Sequence, residues 1–555
     1  MTFETNKDKP CLVDTGQGLS VLYNNRYLYS RYNPSQAAEK LAQSIQIREN
    51  TLILCCSPIL GYGLDILASR LPKNCFVLII EADKNLFSIY DTKKIPDNFG
   101  IISPENLSQI HILINKKNSL TSNGIKIPNP GTFRRCLRLD FSGGTNLYPK
   151  TYDIINQNID IVISSFWKNR MTIVKMGKLY HKNLFRNLWK TAFFQEFKIS
   201  SINKPILIVG AGTSSDLFLD KLRNLNNKER EKFYILAVDA SFTALLQRGI
   251  IPDAVVAQES QFAINNAYSG TKNIKTRIFA DLSSRHSLLD LSGNKEIIFY
   301  STEFANTIFW NILRAKGLLP KEILPLGSVG NTATEIALNL RENTTIPVFV
   351  IGLDFSFPAG QTHTKGSMQH KNMLLNTNRF NPIGNPASAF NFSSKKISNE
   401  PNSFYSDYTL SGYAQLFFDK YSKTENIFNL TNKGLNLGIP YISDNLFFEY
   451  ISKIENIKIN TENNKAETDK TKKQVIINFY EQEEKDLLEL RDGLSYGTKS
   501  LEEIEKILSG KEYLYLHFPD GYELSTETQF LKRVRAEIDF FLKQIKIAKA
   551  DISSK

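Results

Sequence analysis

The chain has 555 residues, 42% of them hydrophobic and 22% charged, with a formal net charge of +12. Roughly two to four domains are expected at this length, and with no run of about 18 apolar residues no membrane span is expected. Lysine and asparagine are abundant throughout, and the basic residues are scattered along the whole chain, so no nucleic-acid partner is expected.

The amino terminus, MTFETNKDKP, lacks the apolar stretch of a signal peptide. Cys11, Cys55, Cys56, Cys75 and Cys136 are odd in number and lack metal-ligand spacing. They read as reduced thiols of a cytoplasmic protein. The run Asn33 to Glu39 is a turn opening a helix. Thr51 to Cys55 reads as a strand, followed by Ser57-Pro58-Ile59-Leu60-Gly61-Tyr62-Gly63, a helix, and a strand from Cys75 to Ile80 that ends Glu81-Ala82-Asp83. This βαβ unit resembles nucleoside-binding domains. Pro58, Ile59 and Leu60 stand where close phosphate approach wants glycine, so residues 1–165 are expected to form a structural, Rossmann-like domain.

Apolar residues from Ile163 to Ile199 recur at helical spacing, and residues 166–204 are expected to connect the first domain to a second. The second opens at Pro205 and extends to 458. Strands are expected at 206–209, 234–238, 254–257, 277–280, 296–300 and 347–352, with helices between them. That alternation predicts a doubly wound, mostly parallel sheet in an α/β fold. Residues 376–408 lack a period and read as a long loop. Residues 459–474 are polar and read as a linker, and 475–555 as a helical carboxyl-terminal domain with helices at 475–492, 501–508 and 527–547.

Four constellations carry candidate chemistry. The first is the turn after the 206–209 strand, where Gly210 and Gly212 allow close approach, and Thr213, Ser214, Ser215 and the next helix's amides can donate to a phosphate. The alternative is a tight turn without a ligand. The second is Asp239, Asp253 and Glu259. Asp239 and Glu259 end neighbouring strands, whereas Asp253 is equally explained as a turn cap. The third is Gly327, Ser328 and Asn331 at a helix start, which suits either an anion or simple capping. The fourth is Asp354 at a strand end, followed by Thr362 and His363 in a glycine-bounded loop. An imidazole there suits a general base, with His370 as the alternative.

Together these residues resemble the motility accessory factor (Maf) family of flagellin glycosyltransferases. The turn Gly210-Ala211-Gly212-Thr213-Ser214, the Val238-Asp239 strand end, the Gly249 to Asp253 turn, Gly327-Ser328-Val329, Gly352 to Phe357 and Thr362-His363 carry the resemblance. It extends weakly over Tyr29 to Glu39, Leu52 to Asp83 and Asn429 to Gly434. The resemblance implies a central sialyltransferase-like domain. It also implies transfer of a nonulosonic sugar from a CMP-activated donor to serine or threonine of flagellin. His363 is then the base, Asp239 and Glu259 are further catalytic candidates, and the two glycine turns surround the donor. No cofactor is firmly implied, and a divalent metal is left open. Thr213 and Glu259 depart from the family's usual proline and aspartate. The same domain resembles archaeal 6-hydroxymethylpterin diphosphokinases, which implies ATP and Mg²⁺ held by Asp239, Asp253 and Glu259. A non-catalytic flagellin-binding protein is the third reading.

Overall fold

The computed structural model describes residues 9–90, 95–115, 119–194, 197, 199–288, 291, 293, 296–380, 382, 389, 394–396, 404–455 and 470–554. Contacts divide the chain into two compact units, Met1–Thr172 and Ile173–Lys555.

The first unit opens with an antiparallel sheet of β1 (Cys11–Asp14), β2 (Leu19–Tyr23) and β3 (Arg26–Tyr27). A parallel sheet follows, made of β4 (Thr51–Cys56), β5 (Phe76–Ile80), β6 (Gly100–Ile102) and β7 (Arg135–Asp140), in the order β6-β5-β4-β7. β4 and β5 are buried along their whole length. That is why they read as unbroken apolar runs: a parallel strand is covered on both faces. All five cysteines are unpaired, and Cys55 and Cys56 lie in the core.

One helix, Pro149–Leu188, runs from the first unit into the second. It starts earlier than the expected 163, because Tyr152, Ile155 and Ile159 already face the first unit's core, and it ends before 199.

The second unit is built on an eight-stranded parallel sheet. Its strands are β8 (Ile206–Val209), β9 (Tyr234–Val238), β10 (Ala254–Ala257), β11 (Arg277–Asp281), β12 (Ile297–Thr302), β13 (Glu322–Ile323), β14 (Val348–Ile351) and, later in the chain, β18 (Ile427–Asn429). The order is β13-β12-β11-β10-β9-β8-β14-β18. From β8 the chain moves outward one way through β13, then returns to lay β14 on the other side of β8. The topological switch point therefore lies between β8 and β14, and ligands of open α/β sheets bind at the carboxyl ends of the strands there. The helix Met368–Leu375 precedes the expected loop 376–408, of which 381, 383–388, 390–393 and 397–403 lie outside the described residues; its described part supplies two strands of a small antiparallel sheet. That sheet pairs β15 (Phe357–Pro358) and β16 (Ser394–Lys396) with β17 (Phe404–Asp407).

One core lies on each face of the large sheet. The helices Val329–Leu340 and Tyr408–Tyr421 cover one face. The end of the long helix and the helices Lys470–Tyr496, Leu501–Leu508 and Thr528–Ser553 cover the other. The carboxyl-terminal helices thus share a core with the sheet rather than standing apart. Glu512 fixes them there by accepting the amides of Ile308 at 2.7 Å and Phe309 at 3.0 Å, which open the Ile308–Ala315 helix. Residues 459–469 of the expected linker lie outside the described residues, and its last residues, 470–474, are already helical. Among the described residues no helix is long and apolar enough to cross a membrane.

Candidate functional site

A cleft of about 580 Å³ opens at the carboxyl edge of the sheet. Gly212, Ser328, Asp354, Thr362 and His363 all line it, together with Tyr413. Three loops distant in sequence therefore meet at one place, the switch point.

The Gly210 turn is held by its neighbour across the switch point. Gly210 N donates to Ile351 O at 2.8 Å, and Gly212 N donates to Gly352 O at 2.8 Å. A Cβ on Gly210 would sit 2.3 Å from Gly352 O, and one on Gly352, at φ +74°, would sit 2.6 Å from Gly210 O. These glycines let two backbones touch; Gly210 does not line the cleft. The expected phosphate cradle is already filled. Ser214 donates its amide to Asp354 Oδ2 at 2.9 Å and its hydroxyl to Asp354 Oδ1. Ser215 turns its hydroxyl onto Gly212 O at 2.7 Å, and Thr213 O accepts the Asp216 amide. A phosphate placed there would meet a carboxylate, so the sequence-based assignment of Gly210, Thr213, Ser214 and Ser215 to phosphate is corrected: Asp354 occupies the start of that helix.

The second helix start is open. Ser328 caps the Val329–Leu340 helix by accepting the Asn331 amide at 3.2 Å. The amides of Val329 and Gly330 have no acceptor among the described residues, and both residues line the cleft. Two amides without an acceptor at the positive end of a 12-residue helix are donors of the kind that anions take up. Asn331 is fully buried and donates to Leu326 O and Tyr413 O, both at 3.0 Å. It fastens the loop and the cleft wall and does not reach the cleft; Gly327 shapes the turn before it.

His363 stands in a loop that Asp216 organises. Asp216 accepts from Thr364 Oγ1 at 2.5 Å, Lys365 N at 2.8 Å and Gln361 Nε2 at 2.9 Å. Sequence reading missed this residue, because an acid in a first helical turn looks like ordinary dipole pairing. The His363 ring keeps Nδ1 3.0 Å from Thr362 Oγ1. Burial pushes its pKa below the usual histidine value, so the ring is neutral at pH 7 and able to accept a proton. His370 receives the Gly366 amide at 3.4 Å and does not line the cleft. Burial pushes Asp354 up to about 6, despite the opposing pull of Ser214 and Lys433. The next residue, Phe355, sits at φ +46°, a conformation costing ~1–3 kcal/mol that sites of function tend to retain.

The three other acids separate. Asp239 is buried and pushed up to about 7, first by burial and also by the charge of Glu259. Glu259 is exposed and accepts the Gln261 amide at 2.8 Å. Both lie at the cleft's edge of the sheet but do not line the cleft. Asp253 precedes β10 at the opposite edge, paired with Arg230 at 2.7 Å and accepting Ile235 N at 2.7 Å. A strand separates it from Glu259, so the expected three-acid Mg²⁺ site does not form. Among the described residues no group of three or more His, Cys, Asp or Glu is placed to hold a metal.

Comparison with known proteins bears on the fold that carries this cleft. Residues 178–360 match the model of the family described as 6-hydroxymethylpterin diphosphokinase MptE-like. The structure of the Maf glycosyltransferase from Magnetospirillum magneticum AMB-1 superposes with a TM-score of 0.54 at 13% identity, covering 99% of this chain and 92% of that one. Both findings match the resemblance read from the sequence. An "uncharacterized protein" of Treponema pallidum (strain Nichols) is 31% identical over 556 residues, covering 96% of this chain and 94% of its own. The chain belongs to one family with that Treponema pallidum protein, and it carries the fold of the Maf glycosyltransferase around an MptE-like centre.

Proposed function

We propose that the protein is a cytoplasmic glycosyltransferase that moves a nonulosonic, sialic-acid-like sugar from a CMP-activated donor to serine or threonine of flagellin, in support of flagellar assembly and motility. One observation carries the reading: the open amides of Val329 and Gly330 and the neutral ring of His363 face the same switch-point cleft. The solved structure of like fold is itself titled a glycosyltransferase.

In this reading the donor phosphate lies on the Val329 and Gly330 amides. As the bond from the anomeric carbon to the phosphate oxygen breaks, negative charge grows on that oxygen. Fixed amide dipoles stabilise it without reorganising. The acceptor hydroxyl attacks the carbon from the opposite face, and His363 takes its proton as the new C–O bond forms. CMP leaves with the bonding electron pair. Asp354 and Thr362 bind substrate hydroxyls at the cleft wall.

The diphosphokinase reading has the family model over residues 178–360 in its favour. It needs Mg²⁺, and the residues offered for that ion stand on opposite edges of the sheet. Calorimetry with CMP and with ATP, each with and without Mg²⁺, separates the two. CMP binding independent of Mg²⁺ is expected. ATP binding that requires Mg²⁺, with none for CMP, overturns the proposal. The acceptor is tested by the intact mass of flagellin from cells with and without this protein, where a loss of one or more nonulosonic residues is expected.

A further inference from the structure

The cleft has a second polar wall, carried by residues 404–413, which the mechanism above leaves unused. β17 ends at Asp407, and the Tyr408–Tyr421 helix begins at once. Two contacts bring this junction to the switch point. The Ser406 hydroxyl donates to Phe355 O at 2.8 Å, one residue beyond Asp354, and β17 pairs with β15 just after it. Ala414, Phe417 and Tyr421 bury the helix against the large sheet. Thr409 and Tyr413, one helical turn apart, flank that buried stripe, and both line the cleft together with Asp407.

The polar side-chain atoms of these three residues are unspent. Asp407 caps the helix with Oδ1, which accepts the Leu410 amide at 2.8 Å. Among the described residues its Oδ2 has no hydrogen-bond partner, and neither has the hydroxyl of Thr409 or of Tyr413. Neither Asp407 Oδ2 nor the Tyr413 hydroxyl is closed off from solvent. Burial, and after it the charge of Asp407, hold the Tyr413 phenol above its ordinary pKa, so it is a donor at neutral pH. Tyr413 is also fixed beside the open helix start. Its carbonyl takes the Asn331 side chain, and its ring lies against Gly327, where a Cβ would come 2.6 Å from Tyr413 Cε1. The phenol thus shares a cleft of about 580 Å³ with the Val329 and Gly330 amides, a size at which one ligand touches both.

We propose that Asp407, Thr409 and Tyr413 form a diol-binding wall of the cleft, which takes two neighbouring hydroxyl groups of a bound nucleotide sugar. This rests on the nucleotide-sugar reading above. A free carboxylate oxygen accepts from one alcohol, a phenol donates to the next, and the threonine hydroxyl does either. Together they match the single donor and two lone pairs that each alcohol brings. Phosphate is a poorer match for this wall, because the Asp407 carboxylate repels it. The ribose of the nucleotide and the transferred sugar both offer such a pair of hydroxyls, and the test separates them.

The test is calorimetry on the full-length protein with CMP, 2′-deoxy-CMP, CMP-N-acetylneuraminate and CMP-pseudaminate, for the wild type, Tyr413→Phe and Asp407→Asn. Phenylalanine removes only the hydroxyl. Asparagine still accepts the Leu410 amide and keeps the cap, but offers a donor where the free acceptor was. If ribose supplies the diol, the wild type should bind CMP about tenfold more tightly than 2′-deoxy-CMP. Both variants should then lose most of that margin and bind 2′-deoxy-CMP within about twofold of wild type. If the transferred sugar supplies it, the variants should instead lose most of an about tenfold margin of one CMP-sugar over CMP. Ligand-free Tyr413→Phe should melt with the wild type, because it deletes a hydroxyl without a partner. Margins preserved in both variants, or absent from the wild type throughout, overturn the wall. So does a fall in the melting point of ligand-free Tyr413→Phe with CMP and 2′-deoxy-CMP weakened alike, which marks the phenol as structural. Absence of CMP binding removes the nucleotide reading and the wall together, whereas CMP binding with unchanged margins removes the wall alone.

Discussion

Replacing Asp354 by asparagine measures what a buried charge costs this protein. Asp354 is 2% exposed, and burial pushes its carboxyl from 3.8 up to about 6. The folded state is therefore the better proton binder between those pH values, and stability falls as pH rises through the window. Above it the carboxylate costs a constant ~3 kcal/mol, about two pH units at 1.36 kcal/mol each. Asparagine keeps the shape, accepts the Ser214 amide and donates to the Ser214 hydroxyl, and carries no charge. At pH 7.5 Asp354→Asn should be ~3 kcal/mol more stable than wild type, and near pH 3.8 almost indistinguishable from it. For a unit of about 380 residues, unfolding with ~2 cal/mol/K of entropy per residue, that is a Tm rise of ~4 °C. Scanning calorimetry of both proteins from pH 4 to 7.5 reads the difference directly. A difference that is flat with pH, or a variant less stable at pH 7.5, refutes the reasoning. A carboxylate kept on the cleft wall against stability fits a site where activity and stability compete, so the stabilised variant should transfer less sugar.

Four further outcomes follow from the same geometry. Val329→Pro deletes one open amide at a first helical position that tolerates proline, behind a Ser328 already extended at φ −125° and ψ 150°; CMP affinity should drop about tenfold with the Tm nearly unchanged. His363→Ala should lower turnover about 10²–10⁴-fold while CMP binding by calorimetry stays intact, and the wild-type rate should fall in acid as this depressed imidazole protonates. Asp216→Asn leaves too few acceptor lone pairs for the three donors of the His363 loop; kcat should fall about tenfold with little change in donor KM, a split that a global fold defect would not give. Gly352→Ala forces a Cβ into a left-handed residue 2.6 Å from a carbonyl oxygen, and should cost ~2–4 kcal/mol, read as a lowered Tm.

The large sheet was legible because its strands are buried on both faces. The apolar runs ILIV, YILAV and AVVA coincide with β8, β9 and β10. β13 and β18 were not, since two or three residues carry no period. The small sheet was hidden for another reason: β15 pairs with β17, more than 40 residues later, a closure no local pattern announces. The carboxyl-terminal helices were readable by spacing, but an apolar stripe says only that a face is buried, not that it is buried against β12's neighbours. At the site, the Gly-x-Gly motif was visible while its occupant was not, because Asp354 arrives from 140 positions away. Asp253 and Glu259 looked like one cluster in sequence, yet a four-residue strand at ~3.3 Å per residue carries them to opposite edges.

The two parallel sheets show what separates a binding crevice from a structural one. In the first unit the order β6-β5-β4-β7 also creates a switch point, between β4 and β7. There Glu81, fully buried after β5, accepts from Ser57 at 2.6 Å, Tyr152 at 2.9 Å, Tyr90 at 3.0 Å and the Asp83 amide at 3.1 Å. Four donors satisfy both oxygens, and the acid that elsewhere holds a ribose holds the fold instead. A ligand would have to displace protein hydrogen bonds of comparable strength and gain nothing. At the second switch point one helix start is filled the same way, by Asp354, but the adjoining one is left with two amides open. Topology places both crevices; the count of unspent donors and acceptors decides which one is free to bind.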